Sequence, residues 1–303
     1  TFKNIKYNLI DRLKADLCLC IGVKPNYDYN NPFYKLAKYK FIIKEEQSNW
    51  NNIYDQIQLK ISKYKTITTE WKDLLQIEEQ WLGGLEHESY KHEGSAGILL
   101  ALRWYLLYMI NSKNLKNIYS HFIITRSDYI FTIPHPSINS LNSEYIWIPY
   151  GEHYGGYTDR HAVISSKHLD SYLNILENIL TNSQLVNILK IENNWNLEKI
   201  IKFNLLYENK DQLVRYFPYI MYTIKFRLGD TSFFKTSGHL HKGIYIKYEP
   251  EFDSAVYYLN QLLSNNNILS NDKINNYCKY DHINKFLVPY YCVDNFLGSA
   301  RIF

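Results

Sequence analysis

The longest apolar segment of the chain, "AGILLALRWYLLYMI" (96–110), is followed shortly by the brief apolar run "HFIIT" (121–125). The first carries Arg103 in its middle and falls short of the ~20 residues a membrane span needs, so it reads as a core helix. The second has the length and composition of a strand buried within a sheet. Each must find apolar cover, and the same alternation recurs on both sides. Upstream, Phe2, Ile5, Leu9 and Leu13 have helical spacing, and "ADLCLCIG" (15–22) is a short buried strand. "FYKLAKYK" (33–40) is a brief helix, "FIIKEE" (41–46) a strand, and 50–82 a pair of amphipathic helices.

Downstream, "YIWIP" (145–149) and "AVIS" (162–165) are strands, and a helix over 167–181 has Ser165 or Ser166 as its cap. A helix over 195–207 and strands within 216–227 and 243–248 follow. The segment 81–97, punctuated by glycine, is a loop. Helix–strand alternation of this kind predicts an α/β fold with a mixed, mainly parallel sheet flanked by helices. One domain over 1–250 is expected, with a helical and irregular extension over 251–303 packed on it.

With 46% hydrophobic and 21% charged residues the chain is globular in composition, and its net charge of +4 is slight. No Lys/Arg block or RNA-binding signature appears, which argues against a nucleic-acid partner. The abundance of tyrosine, 29 residues, reads partly as the imprint of an AT-rich coding sequence. Cys18, Cys20, Cys278 and Cys292 contain no C-x-x-C pair, so reduced thiols in a cytosolic-type protein are expected rather than a zinc ribbon. The chain begins at Thr1 without a signal-like segment, which suggests a fragment from which localisation signals can be missing.

In "HFIITRSDYIF" (121–131) the apolar run ends abruptly in Arg126-Ser127-Asp128. Two readings are open. Arg126 and Asp128, two apart on one face, can form an internal ion pair. Alternatively, the strand delivers an acid to the carboxyl edge of the sheet, where ligands of α/β proteins gather. Asp128 can then hold a divalent cation, and Arg126 can fork onto phosphates.

The second constellation is "IPYGEHYGGYTDRHAV" (148–163), where Gly155 and Gly156 precede Tyr157, Asp159 and Arg160. Paired glycines permit positive φ and close backbone approach. Asp159, between this turn and an apolar strand, is a candidate general base; the plain alternative is a turn aspartate. In "HESYKHE" (87–93) the histidines are five apart, which misses the spacing of a zincin helix. His239 and His241 in "SGHLHKG" would share one face of an extended segment and are candidate metal ligands beside the alternative of a surface pair. No P-loop, dinucleotide fingerprint or G-x-S-x-G elbow occurs.

Together, "YSHFIITRSDYIFTIPHPSI", "YIWIPYGEHYGGYTDRHAVIS" and "WNLEKIIKFNL" resemble, in motif order, nucleotide-sugar-dependent glycosyltransferases of the capsular-polysaccharide and giant-virus or algal type. That resemblance spans roughly residues 95–205 and implies a GT-A-like, Rossmann-like fold. It implies a hexosyltransferase that uses a nucleotide-sugar donor, a UDP-sugar first among them, and a glycan or glycoprotein acceptor, with Mn²⁺ or Mg²⁺ as cofactor. Asp128, with Arg126 in place of a first aspartate, matches the acid that meets the diphosphate and metal. Asp159 matches the acid facing acceptor or sugar. Gly155, Gly156, Tyr157, Arg160 and Glu198 would line the substrate, and His239 or His241 would supply a further metal ligand. Tyr154, Tyr157 and Trp147 could pack on sugar faces. A cytoplasmic location, the host cytoplasm for a viral chain, is the accompanying expectation. Two other readings stand beside it: a catalytically silent carbohydrate-binding or scaffold module on the same fold, and a metal-dependent phosphoesterase.

Overall fold

The computed structural model describes residues 1–45, 49–77, 81–225, 239–240 and 244–264. Helix α1 (Phe2–Ile5) runs on as a π-helical turn, Lys6–Asp11, and buries Ile5, Leu9 and Ile10. Strand β1 (Cys18–Val23) is followed by α2 (Pro32–Leu36). Asn31 caps α2 by accepting from Phe33 N, with proline at the first helical position, where its missing N–H costs nothing. Strand β2 (Tyr39–Lys44) pairs parallel with β1.

Helix α3 (Asn51–Ile61) buries Tyr54, Ile57 and Ile61, one face of the 3.6-residue period. The second helix expected in this stretch is a single turn, α4 (Trp71–Leu74). The 81–97 loop holds a small hairpin, β3 (Glu86–His87) with β4 (Tyr90–Lys91). Helix α5 (Ala96–Ser112) is the anticipated core helix, burying Leu100, Ala101, Trp104, Leu107 and Ile110.

Strands β5 (His121–Thr125), β6 (Tyr129–Phe131), β7 (Ile146–Pro149) and β8 (His161–Ser165) come next. The helix expected over 167–181 is broken at Asn174 into α6 (Leu169–Leu173) and α7 (Ile175–Thr181). A 3₁₀ turn precedes α6, and Ser165 makes no side-chain cap there. Helix α8 (Ser183–Ile191), capped by Asn182, lies in a segment for which the sequence reading gave no element. Then follow α9 (Leu197–Tyr207), β9 (Val214–Phe217), β10 (Met221–Lys225), β11 (His239–Leu240), β12 (Ile244–Ile246) and α10 (Glu249–Ser264).

The fold is mixed α/β, but its sheets are small. One has the order β5-β8-β7-β9, another β11-β12-β10-β6. In the first, β8 is antiparallel to both neighbours while β7 and β9 are parallel. So β5, β7 and β9 run one way and β8 runs back. Among the described residues the only parallel pairs are β1 with β2 and β7 with β9, so the expected mainly parallel sheet is absent there.

Packing extends the layer. Asp16, just before β1, accepts from Lys38 Nζ at 2.5 Å and from the Tyr119 hydroxyl, which ties together the starts of β1, β2 and β5. Cys18 and Cys20 share one cluster with Phe122 and Ile124, while Leu17 and Leu19 share the other with Ile123. The three strands therefore run toward one edge with α5 covering one face.

Helix α10 opens two residues before the expected boundary at 251 and packs Ala255 against Ile130, Tyr222, Ile224 and Ile246. The rest of the expected extension, including Cys278 and Cys292, lies outside the described residues. Cys18 and Cys20 are free thiols, and burial pushes Cys18 up to about 12, which leaves it unreactive. Among the described residues no helix is long and apolar enough to cross a membrane.

Candidate functional site

Strand register gathers the charges. Thr125 pairs with His161 at one end of β5 and β8, so Arg126-Ser127-Asp128 leaves the sheet where Asp159-Arg160 enters it. Pro149 pairs with Phe217 at the same edge, so the loop holding Glu152 and the turn holding Tyr219 start there too. From the second sheet, Thr223 of β10 pairs with Tyr129, and Lys247 N donates to Thr223 O at 2.9 Å. Helix α10 then brings Glu251 to Thr223, whose N–H it accepts at 2.8 Å.

The loop between β7 and β8 has an unusual backbone. Gly151, Glu152, Tyr154 and Gly155 all have positive φ, at 133°, 51°, 45° and 85°. For the two side-chain-bearing residues this is a strained conformation that the surroundings must hold. They do so at three points. Tyr157 N donates to Glu198 O at 3.0 Å, Asn196 Nδ2 donates to Tyr154 O at 3.0 Å, and Arg103 Nη2 donates to Asp159 O at 3.1 Å. A Cβ at Gly156 would stand 1.9 Å from Glu198 O. The second glycine therefore lets the loop lie on the first turn of α9.

Arg126 and Asp128 form the internal pair that the sequence left open. Nε donates to Oδ1 at 3.0 Å and Nη2 to Oδ2 at 2.8 Å, with both side chains about one-third exposed. Arg160 is buried and paired with Glu251 at 2.5 Å and Glu152 at 3.3 Å; its guanidinium lies 3.7 Å from the centre of the Tyr248 ring. Asp159 is close to it, 4.0 Å from Nε.

The site is dense in charge. Around Lys247 stand Arg126 and Arg160 with Asp128 and Glu251. Around Glu198 stand Asp159 and Glu152 with Arg160 alone in opposition. Burial, and after it the carboxylate of Asp159, push Glu198 up to about 7. Burial also raises the Glu251 carboxyl, against the opposing pull of Arg160. Cations and carboxylates are thus interleaved at this edge, with Arg160 facing both groups and Glu198 titrating near neutrality.

Beneath the edge lies a buried histidine pair. His135 Nδ1 is 2.8 Å from Pro136 O, His135 Nε2 is 3.2 Å from His161 Nε2, and His161 Nδ1 is 2.9 Å from Thr125 Oγ1. A carbonyl can only accept, so His135 carries its proton on Nδ1, His161 on Nε2, and Thr125 donates to His161. Both rings are neutral in this chain of bonds. Burial lowers His135 to about 4 and His161 well below its usual value.

Of the residues singled out in the sequence, Arg126, Asp128, Asp159, Arg160 and Glu198 converge here, with Gly155 and Gly156 shaping the loop. Tyr157 is buried, with Lys202 over its ring, and Tyr154 is half exposed, its hydroxyl bonded to Glu152. Trp147 instead donates to Asn142 O and packs in the core beneath. His92 bonds Leu75 O, a structural role. His241 and the side chain of His239 lie outside the described residues.

Among the described residues no ready-made site for a divalent cation is present. Both oxygens of Asp128 are engaged by Arg126, and among the described residues no group of three or more His, Cys, Asp or Glu could hold a metal ion. A separate cleft of ≈ 320 Å³, lined by Lys44, Asn52, Gln56, Lys60 and Tyr105 among others, lies between β2, α3 and α5 and includes none of the candidate residues.

Four participants escaped the sequence reading: Glu152, Lys247, Tyr248 and Glu251. Glu152 lay within the quoted loop and its acid type was the available signal. Glu251 is 91 residues from Arg160, and no local pattern announces such a partner. No protein-family model matches this chain, and neither does a curated protein or a solved structure.

Proposed function

We propose that the chain is a GT-A-like glycosyltransferase that moves a hexose from a nucleotide diphosphate sugar to a glycan or protein acceptor. The observation that carries this reading is the convergence at one sheet edge of three cations, Arg126, Arg160 and Lys247, with the carboxylates of Asp159 and Glu198. Glycosyl transfer needs both. The departing nucleoside diphosphate needs fixed positive charge, and the incoming hydroxyl needs a base.

In an inverting transfer, Asp159 takes the proton of the acceptor hydroxyl as its oxygen bonds the anomeric carbon. The bond from that carbon to the phosphate oxygen breaks, and the diphosphate leaves with the electron pair. Asp159 then releases that proton to solvent, which returns the base to its ionised form. Arg126, held in orientation by Asp128, stabilises the leaving group through its remaining N–H donors. Tyr154, half exposed beside Glu152, offers a ring face for a sugar. No step is routed through a metal.

One observation favours a second reading, a silent carbohydrate-binding module. Arg126 and Arg160 are both satisfied by the chain's own carboxylates, as they would be in a scaffold. A thermal-shift screen of nucleotide sugars, with and without Mn²⁺, separates the two. A donor at about 100 times its Kd adds about 2.7 kcal/mol of stability. A melting shift with a UDP-, GDP- or dTDP-sugar supports the transferase; glycan-only shifts support the module.

A further inference from the structure

Three cations stand at this edge, and one of them, Lys247, has no acid within ion-pair distance among the described residues. Arg126 is paired with Asp128, and Arg160 with Glu251 and Glu152. The ammonium of Lys247 has no hydrogen bond or ion pair among the described residues, only the face of the Tyr248 ring at 4.9 Å. Its backbone is nonetheless fixed. Lys247 follows β12 directly, and its N–H bonds Thr223, whose strand pairs with Tyr129 next to Asp128. Burial, and after it the nearby Arg126, lower its pKa, so the fold holds a charge there at a cost.

We propose that Lys247 and Arg126 form an oxyanion subsite for the phosphate groups of a ligand. Arg126 uses Nε and Nη2 on Asp128 and is 31% exposed, so it keeps open donors on the same planar fork. Lys247 adds a compact point charge beside it. Together they suit a diphosphate, whose separated oxygens can engage a fork and a point charge at once. Arg160 is excluded from this role, because its side chain is 4% exposed and enclosed by Glu251, Glu152 and Tyr248. Identifying the diphosphate as that of a sugar donor rests on the transferase reading; the subsite itself does not.

The test is calorimetric titration of the protein with inorganic pyrophosphate, in EDTA and again with Mn²⁺. The wild type is expected to bind in EDTA. Lys247→Met is expected to weaken binding by about tenfold or more, the loss of a charged hydrogen bond, while Lys247→Arg largely restores it. Lys247→Gln serves as the neutral variant if the methionine fails to fold. Absence of wild-type binding, binding only with Mn²⁺, or wild-type affinity in the neutral variant overturns the subsite. If pyrophosphate binds through Lys247 while no nucleotide sugar is turned over, the subsite stands and the transferase reading falls.

Discussion

Arg126 holds Asp128 by two parallel hydrogen bonds, at 3.0 and 2.8 Å, which engage both carboxylate oxygens and give the guanidinium a fixed plane. Asp128→Asn therefore distinguishes two roles. If Asp128 orients Arg126, the variant loses about 1 kcal/mol of stability, and its pyrophosphate affinity falls alike in EDTA and in Mn²⁺, because the guanidinium has lost its fixed plane. If Asp128 were a metal ligand, Mn²⁺-dependent donor binding would collapse instead. Titration of the variant under both conditions decides.

Glu251 is wholly buried and bonds both Arg160 and the Thr223 N–H. Glu251→Ala leaves a buried guanidinium short of a counter-charge and is expected to cost about 3–5 kcal/mol. Urea melts of the variant measure it. A loss below about 1 kcal/mol would mean that Glu152 alone suffices for Arg160.

Much of the local structure was readable, because its causes are local. The apolar runs at 121–125 and 162–165 became β5 and most of β8, and the Gly155-Gly156 turn was visible as a place where backbone must approach something. What it approaches, Glu198 O, is set by the docking of α9 on the loop. The break at Asn174 was hidden because "LDSYLNILENIL" keeps its apolar spacing on both sides of it. Strand direction was hidden too, since an apolar run reads the same in a parallel or an antiparallel pair. Tyrosine was equally silent about its place: Tyr54, Tyr129, Tyr172, Tyr219 and Tyr222 are fully buried, while others, Tyr150 and Tyr154 among them, are exposed.

The histidine pair makes the fold sensitive to acid. With folded pKa values below the ordinary 6.5, the unfolded chain takes up protons first, so stability is complete above about pH 6.5 and is lost as pH falls toward about 4. His135 alone is expected to account for about 2 kcal/mol between pH 7.5 and 5. Urea melts across that range should show the loss, and a smaller loss in His135→Gln. An equal slope in both proteins would assign the effect to other groups.

Glu198, raised to about 7 by burial and then by the Asp159 carboxylate, carries a proton that leaves near neutrality. The transfer rate is expected to rise with pH through about 7 as Glu198 ionises. Glu198→Gln should remove that limb, because the group that titrates there is gone. A pH–rate profile of kcat/KM for both proteins reports this.

The central claim is that Asp159 is the base of a sugar-transfer reaction. Its most direct test is the rate of hexose transfer or donor hydrolysis by Asp159→Asn against wild type, over a panel of UDP-, GDP- and dTDP-sugars, with melting temperature as the control for folding. The account predicts turnover by the wild type and a loss of about 10²-fold or more in a folded variant. Turnover in Asp159→Asn equal to wild type, or none in the wild type with any donor that binds, would contradict it.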